Sequence, residues 1–308
     1  MNITKNKRIL VTGGAGFIGS HLTDRLIKEG NLVVVIDNLS TGKKENLNKK
    51  AKFYKIDICS KKIFEIFKKE KPQIVFHLAA LARVPLSILK PLETSKVNIL
   101  GTINVFKASL ENKVQRVIFA SSSSVYGPQK TFPLNEKMKP NPISPYGLQK
   151  WVGEEFAKLF TNLYGLSIVS LRYFNVYGPR IDFKSDYSLV LGKFLKLSKE
   201  KKPLTIFGDG NQTRAFCYID DVIEANILAM KSKKIKGGEV INVGGQKNFS
   251  INYLADLIGG EKVFLPARKG DPLHTKADIH LAKKLLGWKP KTKFQEGVLK
   301  TKKWFQSL

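Results

Sequence analysis

Arg8-Ile9-Leu10-Val11-Thr12-Gly13-Gly14-Ala15-Gly16-Phe17-Ile18-Gly19 holds, in twelve residues, a strand, a glycine turn and the start of a helix. Arg8 to Thr12 is a short apolar run of buried-strand type, and Phe17 to Glu29 carries a helical pattern that Gly30 stops. Between them Gly13, Gly16 and Gly19 recur every third residue. Glycine permits a tight turn, brings the backbone close to a pyrophosphate and lets helix and strand pack closely. The first turn of the helix, with Phe17 and Ile18, offers N–H groups and partial positive charge to that same pyrophosphate. A glycine triplet alone is weak evidence, but the strand before it and the helix after it make this a dinucleotide cradle.

The flanking sequence extends the pattern. Leu32 to Ile36 reads as a second buried strand and ends on Asp37. A carboxylate there accepts from both ribose hydroxyls of an adenosine and repels a 2′-phosphate, so the expected cofactor is NAD rather than NADP. Ala51 to Ile56 reads as a third strand, and Asp57 and Ile58 follow it, where the adenine ring should lie. Ile74 to His77, Val117 to Ala120 and Ser167 to Leu171 read as three more strands. One helix is expected from Pro91 to about Glu111 and another from Tyr146 to Tyr164. Continuous apolar strands alternating with helices predict an α/β fold, a Rossmann-type doubly wound parallel sheet. Beyond residue 175 the pattern loosens. The expected organisation is an NAD-binding domain over residues 1–175 and a smaller mixed α/β substrate lobe over 176–308, with some return of chain to the sheet.

Composition narrows the function classes. The chain has 308 residues, enough for a sizeable core, and a formal net charge of +28. Forty-five of the basic residues are lysine and only 8 are arginine, spread along the whole chain. Readers of bases and phosphate clamps favour arginine's planar fork, so the charge reads as solvated lysine decoration and no nucleic-acid partner is expected. The field still attracts an anionic substrate. No run approaches the roughly 18 apolar residues of a membrane helix, and no signal-peptide pattern opens the chain; a cytoplasmic protein without a membrane partner is expected. Cys59 and Cys217 make no disulfide framework, and His21, His77, His274 and His280 form no metal-binding cluster, so no metal is expected.

Tyr146 and Lys150 lie four apart at the start of a helix and project from one face. A phenol, with a pKa near 10, needs help to act as a base at neutral pH, and a nearby ammonium favours the phenolate. Ser121-Ser122-Ser123-Ser124-Val125-Tyr126-Gly127 follows the fifth strand, at the carboxyl edge where an open α/β sheet binds ligand.

Taken together, these motifs resemble the extended short-chain dehydrogenases/reductases that act on nucleotide sugars, the NAD-dependent sugar-nucleotide epimerase/dehydratase group, and the resemblance runs from Ile9 to about Pro290. Gly13 to Gly19 matches that family's cofactor motif, Asp37-Asn38-Leu39-Ser40-Thr41-Gly42 its adenosine loop, and His77-Leu78-Ala79-Ala80 a strand end along the cofactor. Asn98 matches a family Asn near the active site. The resemblance implies Ser122 as catalytic hydroxyl, Tyr146 as base and Lys150 as its partner, with Ser121 and Phe174 beside the cofactor. It further implies a substrate lobe. Arg172 to Arg180 resembles the segment whose Asn, here Asn175, meets the diphosphosugar. Phe207 to Arg214 resembles the stretch flanking the nucleotide base, with Arg214 on a phosphate. Arg268-Lys269-Gly270-Asp271 resembles a third element, with Arg268 on the diphosphate and Asp271 on a ribose hydroxyl. Thr275 stands where related epimerases carry a residue that crowds the sugar's C2 substituent.

Relatives that dehydrate carry Asp-Glu after the catalytic hydroxyl, and decarboxylases usually keep the Glu; here Ser123 and Ser124 stand instead, and neither does a carboxylate's work. The expected activity is therefore 4-epimerisation of a UDP-sugar, UDP-glucose or its N-acetyl form. UDP-glucuronate 4-epimerisation is the nearest alternative, with Arg83 as a candidate cation for the sugar carboxylate. A non-catalytic dinucleotide- or RNA-binding relative is the alternative from outside enzymes. The resemblance also implies a homodimer formed by the helix bearing Tyr146 and the one before it.

Overall fold

The structure, a computed structural model, describes residues 6–183, 189–267 and 274–308. Strands β1 (Arg8–Thr12), β2 (Leu32–Ile36) and β3 (Lys52–Tyr54) alternate with helices α1 (Phe17–Lys28) and α2 (Lys62–Glu70). Then come β4 (Ile74–His77), α3 (Val84–Leu89), α4 (Pro91–Ser95), a π-helical turn over Lys96–Gly101, and α5 (Thr102–Glu111). β5 (Arg116–Ser122), α6 (Pro145–Tyr164) and β6 (Ile168–Tyr173) complete this half. The remainder comprises β7 (Val176–Tyr177), α7 (Val190–Lys199), β8 (Leu204–Phe207), β9 (Thr213–Arg214), β10 (Cys217–Tyr218), α8 (Ile219–Lys231) and β11 (Val240–Val243). It closes with β12 (Phe249–Ser250), α9 (Ile251–Ile258), β13 (Lys262–Leu265), β14 (His274–Thr275), α10 (His280–Leu286) and α11 (Phe294–Gln306).

Seven strands form one sheet in the order β11-β6-β5-β4-β1-β2-β3, every neighbouring pair parallel. The side-chain alternation of a strand explains why its runs are apolar throughout. Ile9 and Val11 enter the core on one face and Leu10 the core on the other, all three fully enclosed. Val33 and Val35 part from Val34 and Ile36 in the same way. The chain runs outward from β1 to β3, then returns to β4 on the other side of β1. Such a reversal opens a crevice at the carboxyl ends of β1 and β4, where open α/β sheets take their ligands.

The rest of the chain forms small sheets. β9 pairs antiparallel with β12 and parallel with β14, and β13 pairs parallel with β8. β11 returns to the main sheet and pairs with β6.

Several local expectations change. The helix expected after Pro91 runs to Glu111 as one rod, but with a wider π turn over Lys96–Gly101 set inside it. The third strand shrinks to Lys52–Tyr54, and α6 begins one residue early, with Pro145 in its first turn and the Ser144 hydroxyl accepting from the Gly147 N–H. α2 and α3 are additional. The lysines of α2 blur its apolar period of Ile63, Ile66 and Phe67, and α3 is only six residues long with a proline in its first turn. Among the described residues, no helix is long and apolar enough to cross a membrane.

Candidate active site and its cofactor cradle

The glycine turn is built by close approach. Gly13 has φ +74°, and a Cβ there would lie 2.7 Å from the Ala79 nitrogen. A Cβ on Gly19 would lie 2.1 Å from the Gly13 carbonyl oxygen. Gly16 caps α1 with no side chain, so the first-turn N–H groups, those of Phe17 and Ile18 among them, lack an intrahelical acceptor, while the three glycines let the turn fold tightly onto its own backbone and Ala79. That is a fit for a pyrophosphate. Asp37 is fixed at the end of β2, where its carboxylate accepts from the Ala15 N–H (3.0 Å) and the Leu39 N–H (2.8 Å). A Cβ on Gly42 would lie 2.9 Å from that carboxylate. Asn38 donates to Asp57 (2.9 Å). Burial would raise the Asp57 pKa, but the Cys59 N–H and the Asn38 amide hold it below the usual range, so it stays a carboxylate. Thr41 is exposed beside this loop, while Ile58 is enclosed and packs against Gly101. Leu78, Ala79 and Ala80 are half-open along the other wall.

Beneath that wall a buried relay fixes the strand ends. The Ala79 N–H donates to Thr12 Oγ1 (3.3 Å), and Thr12 Oγ1 meets His77 Nδ1 (2.7 Å). His77 Nε2 meets Thr102 Oγ1 (3.0 Å), which donates to the Asn98 carbonyl (2.7 Å). Because Thr102 spends its proton on Asn98, His77 must donate from Nε2 and accept at Nδ1. Burial, helped by the Lys150 charge, lowers its pKa to about 3, so the ring is neutral. Its part is structural. The Asn98 amide donates to Leu81 O and to Gln149 Oε1 (2.7 Å) and accepts from the Leu81 N–H, locking the loop after β4 onto α6.

α6 presents Tyr146 and Lys150 from one face. The Tyr146 N–H donates to Ser87 Oγ of α3 (3.1 Å). Lys150 Nζ donates to the Ala120 carbonyl at the end of β5 (2.7 Å) and lies 5.9 Å from the Tyr146 ring centre. Burial lowers the ammonium's pKa to about 8, against a smaller pull from Glu154. Burial also raises the Tyr146 phenol, while the Ser122 hydroxyl and the Arg83 guanidinium pull it down. The protein's own groups therefore do not make the phenolate; further positive charge at the site is needed. Ser122 Oγ accepts from the Ser124 N–H and donates to Ser124 Oγ, both at 3.1 Å. Ser121 points elsewhere. It donates to Glu154 (2.5 Å), whose carboxylate takes a two-pronged ion pair from Arg172 at 2.8 and 2.6 Å. Both partners are buried, at 3% and 0% side-chain exposure. Removing one partner of such a pair typically costs ~3–5 kcal/mol, because the other is left buried and unpaired.

On the opposite side of the cleft Asn175, between β6 and β7, has φ +37°, a conformation few non-glycine residues adopt and one that recurs at functional sites. Its amide donates to Thr275 Oγ1 (3.3 Å) and the Ala215 carbonyl (3.4 Å). The register of β14 on β9 sets Thr275 opposite Arg214. Asn175, Arg214 and Thr275, 100 residues apart in sequence at the extremes, thus meet at one place. Phe174 differs: its side chain is wholly enclosed against Tyr126 and Gly244, so only its backbone could face a ligand. Arg268 and Asp271 lie outside the described residues.

Two groups of this network escape motif reading: Gln149 and Glu154. Glu154 stands four residues after Lys150, on the same helix face, and that spacing was the available signal. Arg83 was singled out as a cation but without a place. The structure places it against Asp182, with Nη2 donating at 2.8 Å.

A doubly wound sheet with a glycine cradle, an acid after β2 and a Ser-Tyr-Lys cluster at the switch point defines a nicotinamide-dinucleotide protein of the extended short-chain dehydrogenase/reductase class. Residues 9–244 match the NAD dependent epimerase/dehydratase family. The chain belongs to that family, in its sugar-nucleotide epimerase group, and NAD is its cofactor. It is 41% identical to the UDP-glucose 4-epimerase of Thermotoga maritima, solved with UDP-glucose, at a TM-score of 0.94 over 97% of this chain and 99% of that one. It is 41% identical to a UDP-N-acetylglucosamine 4-epimerase of Methanobrevibacter ruminantium, solved with UDP-N-acetylmuramic acid, at a TM-score of 0.93 over 98% and 99%. A UDP-glucuronic acid 4-epimerase of Bacillus cereus, solved with UDP-glucuronic acid and NAD, is 36% identical at a TM-score of 0.90 over 97% and 99%.

Proposed function

We propose that this protein interconverts the C4 epimers of a UDP-sugar, UDP-glucose and UDP-galactose first, with room for the N-acetyl forms. The observation that carries the reading is the Ser122–Tyr146–Lys150 cluster, beside which, among the described residues, the sequence and the contacts give no carboxylate free to act. Positions 123 and 124 are serines, and the nearby Glu154 has both oxygens committed to Ser121 and Arg172. Dehydration and decarboxylation need an acid or base that this arrangement lacks, whereas oxidation and reduction at one carbon need none beyond the phenol.

Gly13, Gly16, Phe17, Ile18 and Gly19 would hold the pyrophosphate of NAD. Asp37, with Asn38, Thr41, Gly42, Asp57 and Ile58, would surround its adenosine. Leu78, Ala79, Ala80, Asn98 and Lys150 would line its nicotinamide half. When bound, NAD supplies the hydride acceptor and a positive charge beside the phenol. Tyr146 takes the proton of the sugar 4-OH while Ser122 Oγ holds the same oxygen. Arg214, joined in the resemblance by Arg268 and Asp271, grips the diphosphate and nucleoside. The 4-keto sugar would turn about that fixed linkage beside Asn175 and offer the other face of C4 to the returning hydride, while Tyr146 gives the proton back to the 4-oxygen. Thr275 is small enough to leave space at C2. The exposed apolar stripe on α6, Leu148, Leu159 and Leu163, with Leu92 and Leu100 from the preceding helical stretch, supports a homodimer formed through these helices.

The test is turnover of UDP-glucose by purified protein and by Tyr146→Phe, with product sugars resolved by chromatography. The variant should lose about a thousandfold in kcat while still binding NAD. Near-normal turnover would overturn the assignment.

A further inference from the structure

Arg83 directly precedes α3, whose Ser87 accepts from the Tyr146 N–H. The arginine's backbone is thereby tied to the start of the catalytic helix. Its guanidinium does not turn to solvent but reaches Asp182, five residues after β7 ends and seven after Asn175. The two side chains keep only 25% and 28% exposure. The ion pair thus joins the wall of the cleft that carries Tyr146 to the wall that carries Asn175. Of the charged groups around the phenol, Lys150 approaches from α6 and Arg83 from the loop before α3, and the Arg83 charge is felt at the Tyr146 oxygen.

Resting on the reading of Tyr146 as the base at C4, the place of Arg83 ahead of α3, which is tied to Tyr146, and on Asp182 puts its guanidinium among the groups a substituent beside C4 would meet. The reacting carbon must lie at the phenol, and the substituents of its two neighbouring carbons lie one bond further out. In a neutral hexose the C5 substituent is a hydroxymethyl group; in a uronic acid it is a carboxylate. An unpaired arginine here would welcome that carboxylate with a bidentate grip. Arg83 is already engaged by Asp182, so an incoming carboxylate meets a neutralised guanidinium and a second negative charge. Discrimination of this kind, by building a repulsion against the wrong substrate, is a general route to specificity.

We propose that the Arg83–Asp182 ion pair is a specificity device that selects neutral UDP-sugars over uronates by filling, with a carboxylate of the protein, the place a sugar carboxylate would take. Asp182→Asn removes the competitor and leaves the cation.

The experiment compares kcat/KM for UDP-glucose, UDP-N-acetylglucosamine and UDP-glucuronate in the wild type, Asp182→Asn, Arg83→Gln and the double variant, with thermal melts to establish folding. The wild type should favour the neutral sugars. Asp182→Asn should raise the glucuronate-to-glucose ratio at least tenfold, and Arg83→Gln in the same background should remove that gain. Asp182→Ser serves the same purpose if the asparagine variant fails to fold. A ratio within twofold of wild type in a folded Asp182 variant overturns the proposal, as does a wild type that prefers UDP-glucuronate. Inactivity of the wild type on all three sugars would instead strike the epimerase reading itself.

Discussion

Lys150 sits with its ammonium on the Ala120 carbonyl and 5.0 Å from the centre of the Phe119 ring, at 4% exposure. Its pKa falls from 10.5 to about 8, burial being the larger cause and Glu154 opposing it. The folded chain therefore releases this proton before the unfolded chain does. Between about pH 8 and pH 10.5 the unfolded state binds more protons, so the penalty this buried ammonium imposes on stability is present in full below pH 8 and is relieved as pH rises across that window. Each pKa unit is worth roughly 1.4 kcal/mol. Lys150→Met should accordingly be more stable than wild type at pH 7, by on the order of 2 kcal/mol, with the gap closing by pH 10. Urea melts at both pH values measure it. Parallel stability curves for the two proteins would show that the ammonium is not under strain. A residue held at such a cost is held for its chemistry, and turnover by Lys150→Met should collapse.

At the scale of elements, the turn between β1 and α1 depends on missing atoms rather than on any contact. Gly19→Ala puts a methyl group 2.1 Å from a backbone oxygen, so the turn must open. NAD affinity, read by calorimetry, should drop at least tenfold. Gly165→Ala is the contrast. Gly165 ends α6 at φ +73° with nothing within 4 Å of its absent Cβ, so alanine there should cost ~1–2 kcal/mol of stability and leave NAD affinity alone. Equal NAD affinity in Gly19→Ala and wild type would refute the cradle. The two positions also show what a sequence discloses. The cradle, the strands and the Tyr146–Lys150 spacing were legible because each is local, a period or a motif within some twenty residues. Asn175 meeting Thr275, Ser121 meeting Glu154 and Arg83 meeting Asp182 are products of the tertiary fold. None of the three contacts was anticipated; family likeness only assigned Asn175 and Thr275 separately to the substrate. α2 and α3 were hidden by lysines and by brevity, and the π turn ahead of α5 by a stretch whose apolar residues, Val97, Ile99 and Leu100, look helical whichever way the backbone is wound.

At the scale of the molecule, the apolar stripe of α6 lies on a chain of formal net charge +28. Leu159 and Leu163 are 50% and 66% exposed, and Leu92 is 87% exposed. Side chains of this kind grouped on neighbouring helices call for a cover, and a second copy gives each helix an identical partner about a two-fold axis. Leu159→Glu with Leu163→Glu should convert a dimer to a monomer in sedimentation at micromolar concentration. A wild type that sediments as a monomer would dismiss the arrangement.

The π turn at Lys96–Gly101 gives this surface and the site a common dependence. Each residue of an α-helix turns the next by about 100°. A wider turn therefore sets the phase of everything that follows relative to everything before it. Leu92 stands ahead of the turn, Asn98 within it and Thr102 at its end. Shortening the stretch by one residue would swing Thr102 out from under His77, or carry Leu92 off the outer face, but could not preserve both. The extra residue acts as a gear offset, letting one continuous rod turn polar groups inward to the cofactor wall and apolar ones outward at once.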